Sequence, residues 1–87
     1  MVTMSTHPEQ WTHWVEKACT ALDLDPADVD IDLVHELSKN VSHEVTRPLA
    51  PVSSYLLGIA VGRRLERGEP VDAAAQREIA DRVPLTD

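Results

Sequence analysis

A pair of prolines separates the most apolar part of this chain from the helical pattern that precedes it. Arg47 is followed by Pro48 and Pro51, and residues 48–62 contain no charged side chain. A residue before proline is biased away from the α-helical region, so a helix that enters this segment has to end near Arg47. Pro51 fits the first turn of a new helix, where its missing N–H group is not needed. The segment therefore predicts two helices joined by a short corner.

Apolar side chains recur at helical spacing on both sides of this corner. We predict four helices, over about residues 8–22, 31–46, 51–67 and 73–83. The predicted inward residues of the first helix are Trp11, Trp14, Val15, Ala18 and Leu22. Those of the second are Ile31, Val34, Leu37 or Ser38, Val41 and Val45, and those of the fourth are Ala75, Ile79 and Val83. The third helix is apolar around most of its circumference, which predicts a central position.

The predicted helix ends follow from capping residues. Thr6 and Glu9 have the spacing of a capping box for the first helix. Gly68, followed by Pro70, is typical of a helix C-terminus, and Asp72 is the predicted N-cap of the fourth helix.

The segment before the second helix has two interpretations. Val29, Ile31 and Leu33 alternate with aspartates, which is the period of a β-strand. Aspartate is depleted in strands, however, and no other segment provides a strand to pair with it. Asp25 before Pro26 instead indicates a capped helical turn, with Asp30 or Asp32 capping the second helix. We therefore predict a loop that leads into a helix.

The length of 87 residues allows one domain with one small core. The chain has no phenylalanine, two tryptophans and one tyrosine, so the core has to be built from aliphatic side chains. We predict a compact all-α domain of four helices over residues 1–87, with an ordered core over about 8–83. A dimer, or docking onto a larger partner, would add to so small a core.

The net charge of −7 lies in residues 1–46, because acids and arginines balance in the rest of the chain. An acidic chain repels nucleic acid and anionic lipid, so we expect neither as a partner. The N-terminus lacks a signal-peptide pattern, and residues 48–62 are shorter than the roughly 20 apolar residues of a membrane span. We expect a soluble, cytoplasmic protein.

The motifs of common active sites do not fit this chain. Counted from Asp23, the acidic loop lacks the glycine and glutamate that an EF-hand needs at its sixth and twelfth positions. The histidines and Cys19 lack the spacing of metal ligands on one helix. Cys19, the single cysteine, is interpreted as a small core residue. No GxSxG motif or glycine-rich phosphate loop precedes a helix. We predict no catalytic residue, metal or cofactor, and no enzymatic activity.

Two features remain as candidate sites. His43 and Arg47 lie four residues apart near the end of the second helix, and Ser53 and Ser54 follow in the third. Together with the free N–H groups of a helix N-terminus, these side chains could hold a phosphate or carboxylate. The alternative is that Arg47 binds the last carbonyls of the second helix or a nearby acid, while His43 donates to a backbone carbonyl.

The second feature is a stripe of small residues on the third helix, Ser54, Gly58 and Gly62. Glycine inside a helix costs about 1 kcal/mol relative to alanine, so the stripe implies a close approach by something. The first or second helix crossing there is one interpretation, and a partner protein or a second copy is the other. Arg63, Arg64 and Arg67 suit the C-terminal end of the helix dipole.

Residues 10–66 resemble a small domain of unknown function that is common in actinobacteria. The residues that match its pattern are His43, Arg47, Pro48, Pro51, Leu57, Gly58 and Gly62. Such domains occur alone or fused after the guanylyltransferase that attaches GMP to molybdopterin. The resemblance implies a role linked to molybdenum-cofactor biosynthesis, although this chain lacks the glycine-rich nucleotide loop of that enzyme.

Three functional hypotheses follow. The first is a non-enzymatic accessory domain that docks on the guanylyltransferase, or on an enzyme that receives the cofactor. Its contacts would be the corner between the second and third helices and the small-residue stripe. The second is a module that binds an anionic pterin or a nucleotide phosphate at His43 and Arg47. The third is a structural homodimer.

Overall fold

The protein is all-α in the computed structural model, which describes residues 8–86. No strand occurs in this range, so the predicted four-helix fold class is confirmed. The helices are α1 (Glu9–Leu22), α2 (Ile31–Glu44), α3 (Ala50–Glu66) and α4 (Ala73–Ala80). Two 3₁₀ turns, Pro26–Asp28 and Arg47–Leu49, precede α2 and α3. No helix between residues 8 and 86 combines the length and apolarity needed to cross a membrane.

Aspartate side chains begin three of these elements, as predicted. Asp25 Oδ1 accepts a hydrogen bond of 2.9 Å from the Ala27 N–H at the first 3₁₀ turn. Asp30 Oδ1 accepts from Leu33 N–H at 3.1 Å, and Asp72 Oδ1 accepts from Ala75 N–H at 2.9 Å. Each carboxylate satisfies an N–H group that a helix start leaves without a partner. Thr6, of the predicted capping box, lies outside the described residues.

Gly68 ends α3 in the predicted way. Its φ of 70° is left-handed, and its N–H donates to Leu65 O at 3.0 Å while Glu69 N–H donates to Arg64 O at 2.9 Å. This pair of bonds is the Schellman motif, which glycine accommodates without strain.

The other helix ends differ slightly from prediction. Helix α2 ends at Glu44, two residues before the predicted end. Thr46 is extended, and Arg47 starts a 3₁₀ turn instead of leaving helical geometry altogether. Helix α4 ends at Ala80 and not at Val83.

The core lies between α2, α3 and α4. Its buried apolar residues are Leu33, Leu37, Val41, Leu57, Val61, Ile79 and Ala80. Leu33 is the most buried of them, although the sequence pattern did not place it inward. At the exposed rim of this core, Arg77 donates a hydrogen bond of 2.7 Å to Glu36 and links α4 to α2. That hydrogen bond lowers the pKa of Glu36, but an ion pair so exposed contributes at most about 1 kcal/mol.

Helix α1 does not bury the face predicted for it. Trp14 is 69% exposed, and Trp11 and Leu22 are also exposed. The α1 backbone comes close only to the first 3₁₀ turn, and the Trp11 ring meets His35 of α2 edge-on at 5.5 Å. Cys19 is buried, as predicted. Helix α1 is therefore amphipathic without covering the core.

Helix α3 has the predicted central position, but one of its sides is uncovered. It packs against α2, α4 and the second 3₁₀ turn with one side only. On the other side Val52, Tyr55, Leu56 and Ile59 are between 44% and 71% exposed. No helix within residues 8–86 covers this outer side.

Candidate functional site

The corner between α2 and α3 presents His43 and Arg47 to solvent. His43 lies in the last turn of α2, and Arg47 is the first residue of the 3₁₀ turn. Both are exposed, and neither side chain has a hydrogen bond or ion pair with another residue of the range 8–86. The alternative in which Arg47 pairs with a nearby acid is therefore not observed within residues 8–86.

The serine hydroxyls at this corner are bonded to the backbone of their own helix. Ser53 Oγ donates to Ala50 O at 2.6 Å, and Ser54 Oγ donates to the same carbonyl at 3.4 Å. Ser53 is also buried. The Ser53 hydroxyl is thus buried and bonded to the backbone, whereas His43 and Arg47 are exposed.

The start of α3 does not offer the predicted row of free N–H groups. Pro48 and Pro51 have none, and the N–H groups of Leu49 and Ala50 donate to Thr46 O and Arg47 O. The expectation of free donors was wrong at residues 48–51, because a 3₁₀ turn runs directly into the helix. An anion at this corner would depend mainly on the Arg47 side chain.

An open groove runs along the small-residue stripe. One wall is α3, with Ser54, Leu57, Gly58, Val61, Gly62 and Leu65. The other is the segment before α2, with Leu24, Asp25, Asp28, Val29 and Asp30, and Val34 of α2 and Gln76 of α4 also line the groove. We call this space, of about 220 Å³, the glycine groove. Apart from Ser54, Gln76 and the three aspartates, its lining residues are apolar or glycine.

No other helix crosses closely at the two glycines. A Cβ atom added at Gly58 or at Gly62 meets no described atom within 4 Å. The interpretation that α1 or α2 crosses here is therefore wrong for the part of the chain that the structure describes. The interpretation as an interface with a partner stays a prediction.

Alanine at these glycines is expected to stabilise the fold. Gly58→Ala and Gly62→Ala should each raise the free energy of unfolding by about 0.5–1 kcal/mol, because both lie inside α3 and have room for a methyl group. Gly68→Ala is the matched control and should lower it by about 1 kcal/mol, since its φ of 70° strains a side chain. Urea denaturation measures all three. A loss of stability at Gly58 would contradict the open groove.

Exposed apolar side chains continue from the glycine groove in two directions. The outer face of α3, defined by Val52, Tyr55, Leu56 and Ile59, lies next to the glycines around the helix. A second groove between α1 and α2 is lined by Trp11, Trp14, Val15, Val29, Ile31, Val34 and His35. Val29 and Val34 line both grooves, so the apolar surface is continuous.

The charges around this surface are unequally neutralised. Arg64 forms two salt bridges, from Nε to Glu69 Oε1 at 3.9 Å and from Nη2 to Glu78 Oε1 at 3.8 Å. Arg67 Nε pairs with Glu69 Oε2 at 2.8 Å. By contrast, Asp25 and Asp28 form no salt bridge with a residue of the range 8–86. Asp25 and Asp28 therefore leave uncompensated negative charge beside the apolar glycine groove, whereas Arg64 and Arg67 at the end of α3 are paired.

The thiol of Cys19 is not suited to nucleophilic chemistry. Burial raises its pKa, and the carboxylates of Asp25 and Asp28 raise it further. Both effects disfavour the thiolate, which is the reactive form. Within residues 8–86, no three histidine, cysteine, aspartate or glutamate side chains come together as metal ligands.

Comparison with known proteins gave one match. The family model of DUF6457, described as a domain of unknown function, matches residues 6–85. No curated protein matched the chain. No solved structure matched it either.

Proposed function

We propose that the chain, which belongs to the DUF6457 family of domains of unknown function, is a non-enzymatic accessory domain that docks on another protein. The observation that supports this proposal is the uncovered apolar side of α3. Val52, Tyr55, Leu56 and Ile59 are exposed although each is large and apolar. Contiguous apolar surface with a polar rim is typical of a protein–protein contact site.

The shape of the glycine groove favours a protein over a small molecule. The glycine groove has about 220 Å³ and is open to solvent along α3, whereas small-molecule sites usually enclose roughly 300–1,000 Å³. Its continuity with the outer face of α3 gives an extended contact area instead of a closed pocket. Side chains from a partner would bury such a surface and cover the apolar side chains that this short chain leaves exposed.

The proposed partner comes from the resemblance to the actinobacterial domain. That family occurs alone or fused after the molybdenum cofactor guanylyltransferase, and His43, Arg47 and Gly58 match its pattern. We propose this guanylyltransferase, or an enzyme that receives the cofactor, as the partner. The same association would place the domain in the cytoplasm.

Binding to the purified guanylyltransferase and to a purified cofactor-receiving enzyme tests this proposal. Ile59→Glu puts a charge on the outer face of α3 and should weaken the complex by at least about tenfold, since burying an unpaired carboxylate is costly. Ala74→Glu adds the same charge at an exposed position of α4 and should change affinity less than about twofold. Calorimetry gives the affinities, and circular dichroism checks that both variants are folded.

Two results would contradict the proposal. If neither enzyme binds the unmodified chain, the partner assignment is wrong. If Ile59→Glu binds as tightly as the unmodified chain, the outer face of α3 is not the contact surface.

An anionic ligand at the corner is the second candidate function. The side chains of His43 and Arg47, which have no partner within residues 8–86, favour it, and the lack of a free N–H group at residues 48–51 weakens it. Titration with GTP or a molybdopterin analogue should shift amide resonances near Arg47 and leave an Arg47→Gln variant unchanged. The absence of shifts at millimolar ligand would exclude this function.

A further inference from the structure

We propose that the glycine groove receives a helix of the partner protein, and that lysines or arginines flank the apolar stripe of this helix. The inference rests on the proposed function as a docking domain and specifies the chemistry of the partner. Its basis is the groove itself, together with the charge of the loop that forms its second wall.

The α3 side of the groove has a geometry that suits a second helix. Ser54, Gly58 and Gly62 run along α3 over about 12 Å, at 1.5 Å per residue, which equals about two turns of an opposing helix. Small residues along a stripe allow two helix backbones to approach closely. Within residues 8–86 nothing uses this space, because a Cβ at either glycine meets no atom within 4 Å. The fold therefore gains no packing from two glycines that each cost about 1 kcal/mol.

The second wall determines which charges suit the occupant. Asp25, Asp28 and Asp30 line the groove, and its lining includes no lysine or arginine. Asp25 and Asp30 each use one oxygen as a helix cap. The Asp28 carboxylate has no hydrogen bond or ion pair within the described chain. A cationic side chain beside this wall would gain electrostatic complementarity, whereas an acidic one would be repelled.

The same charges disfavour a second copy of this chain as the occupant. The net charge of each copy is −7, and like charges oppose association. Arg64 and Arg67 of a second copy are already paired with Glu69, so that at this end of α3 Arg63 alone has no ion pair within residues 8–86. A partner with its own basic residues fits the groove better.

Two matched synthetic helices provide the probe. Each has about 18 residues, or five helical turns, with the same leucine and alanine stripe. One carries lysine on both flanks of the stripe, and the other carries glutamate at those positions. The lysine peptide should bind the unmodified chain at least about tenfold more tightly, a difference of 1.4 kcal/mol. Its binding should shift the amide resonances of Val29, Gly58 and Gly62, which line the groove.

Variants of the chain distinguish peptide binding in the groove from nonspecific electrostatic attraction between a cationic peptide and an acidic protein. Gly58→Leu fills the open space and should weaken lysine-peptide binding by at least about tenfold, with the helical signal unchanged. Asp28→Asn removes the unpaired carboxylate and should weaken binding by about threefold. Asp81→Asn removes the same charge after α4, outside the groove, and should leave binding unchanged.

Several results would overturn the inference. One is equal binding of the two peptides, and another is undiminished binding to Gly58→Leu. A third is an equal effect of Asp28→Asn and Asp81→Asn. Sedimentation of the unmodified chain as a dimer that Gly58→Leu converts to a monomer would assign the groove to a second copy.

Failure of this inference is distinguishable from failure of the proposed function. A complex with the guanylyltransferase that is insensitive to Gly58→Leu would retain the docking function and exclude the groove. Selective lysine-peptide binding in the groove, without a complex with either enzyme, would retain the groove and exclude those partners.

Discussion

Replacing Leu57 with alanine is expected to lower the free energy of unfolding by about 2–5 kcal/mol, because the lost side chain leaves a cavity between α2, α3 and α4. A domain of this length has a total stability of about 4–13 kcal/mol, so the change removes a large fraction of it. The preceding residue, Leu56, is the matched control. Leu57 is 3% exposed, whereas Leu56 is 54% exposed. Leu56→Ala should therefore cost less than about 1 kcal/mol.

Urea denaturation followed by far-ultraviolet circular dichroism measures both leucine variants. If Leu56→Ala and Leu57→Ala lower the free energy of unfolding equally, α3 is enclosed on both sides in solution. That result would also contradict the uncovered surface on which the proposed docking depends.

The second large effect is expected at Gln76, which joins α4 to two separate segments. This side chain is 4% exposed. Its amide nitrogen donates to Asp28 O and to Val71 O, each at 2.8 Å. Gln76→Glu keeps the size but replaces the donor with a carboxylate that faces two carbonyl oxygens. The loss should be about 3 kcal/mol or more at neutral pH, because a buried charge without a donor is costly.

The pH dependence of this variant has a defined sign. Burial next to carbonyl oxygens raises the pKa of the introduced carboxyl in the folded state above its ordinary value of about 4.3. Relative to the unmodified protein, the variant is therefore least stable at neutral pH and recovers as the pH falls through the raised pKa. The protonated carboxyl can then donate one hydrogen bond.

Gln10→Glu provides the control for Gln76→Glu, because Gln10 is an exposed residue of α1. It should change stability by no more than about 0.5 kcal/mol at either pH. Unfolding free energies at about pH 7 and pH 5 compare the two variants. If the loss of unfolding free energy in Gln76→Glu does not depend on pH, the introduced carboxylate reaches solvent.

Local features of the fold were predictable because they depend on a few neighbouring residues. Asp25, Asp30 and Asp72 cap the elements that follow them, as their sequence contexts indicate. Gly68 ends α3 for the equally local reason that a left-handed residue suits glycine. The corner at Pro48 and Pro51 follows from proline geometry in the same way.

The orientation of helix faces was less predictable because it depends on distant segments. The 3.6-residue period shows that α1 is amphipathic, but it does not show that another helix covers its apolar face. Leu33 was missed as a core residue because α4 packs against that side of α2. Gln76 was missed because its two carbonyl partners belong to loops whose positions no local pattern specifies.

The candidate site was partly predictable. The glycine stripe was identified from its spacing, but its neighbour is an acidic loop and open space instead of a helix. The aspartates before α2 were interpreted as helix caps, and only the fold brings Asp28 to the same groove as Gly58. His43 and Arg47 stay an exposed pair whose binding role is a prediction.

Both tryptophans lie in α1, and this placement determines what intrinsic fluorescence can report. Trp14 is largely exposed, and the Trp11 ring meets the His35 ring of α2 edge-on. Tryptophan emission therefore records the attachment of the first helix, whereas ellipticity records all four helices. During heating, coincidence of the two signals would show that α1 detaches together with the core, and an earlier emission change would measure its separate release.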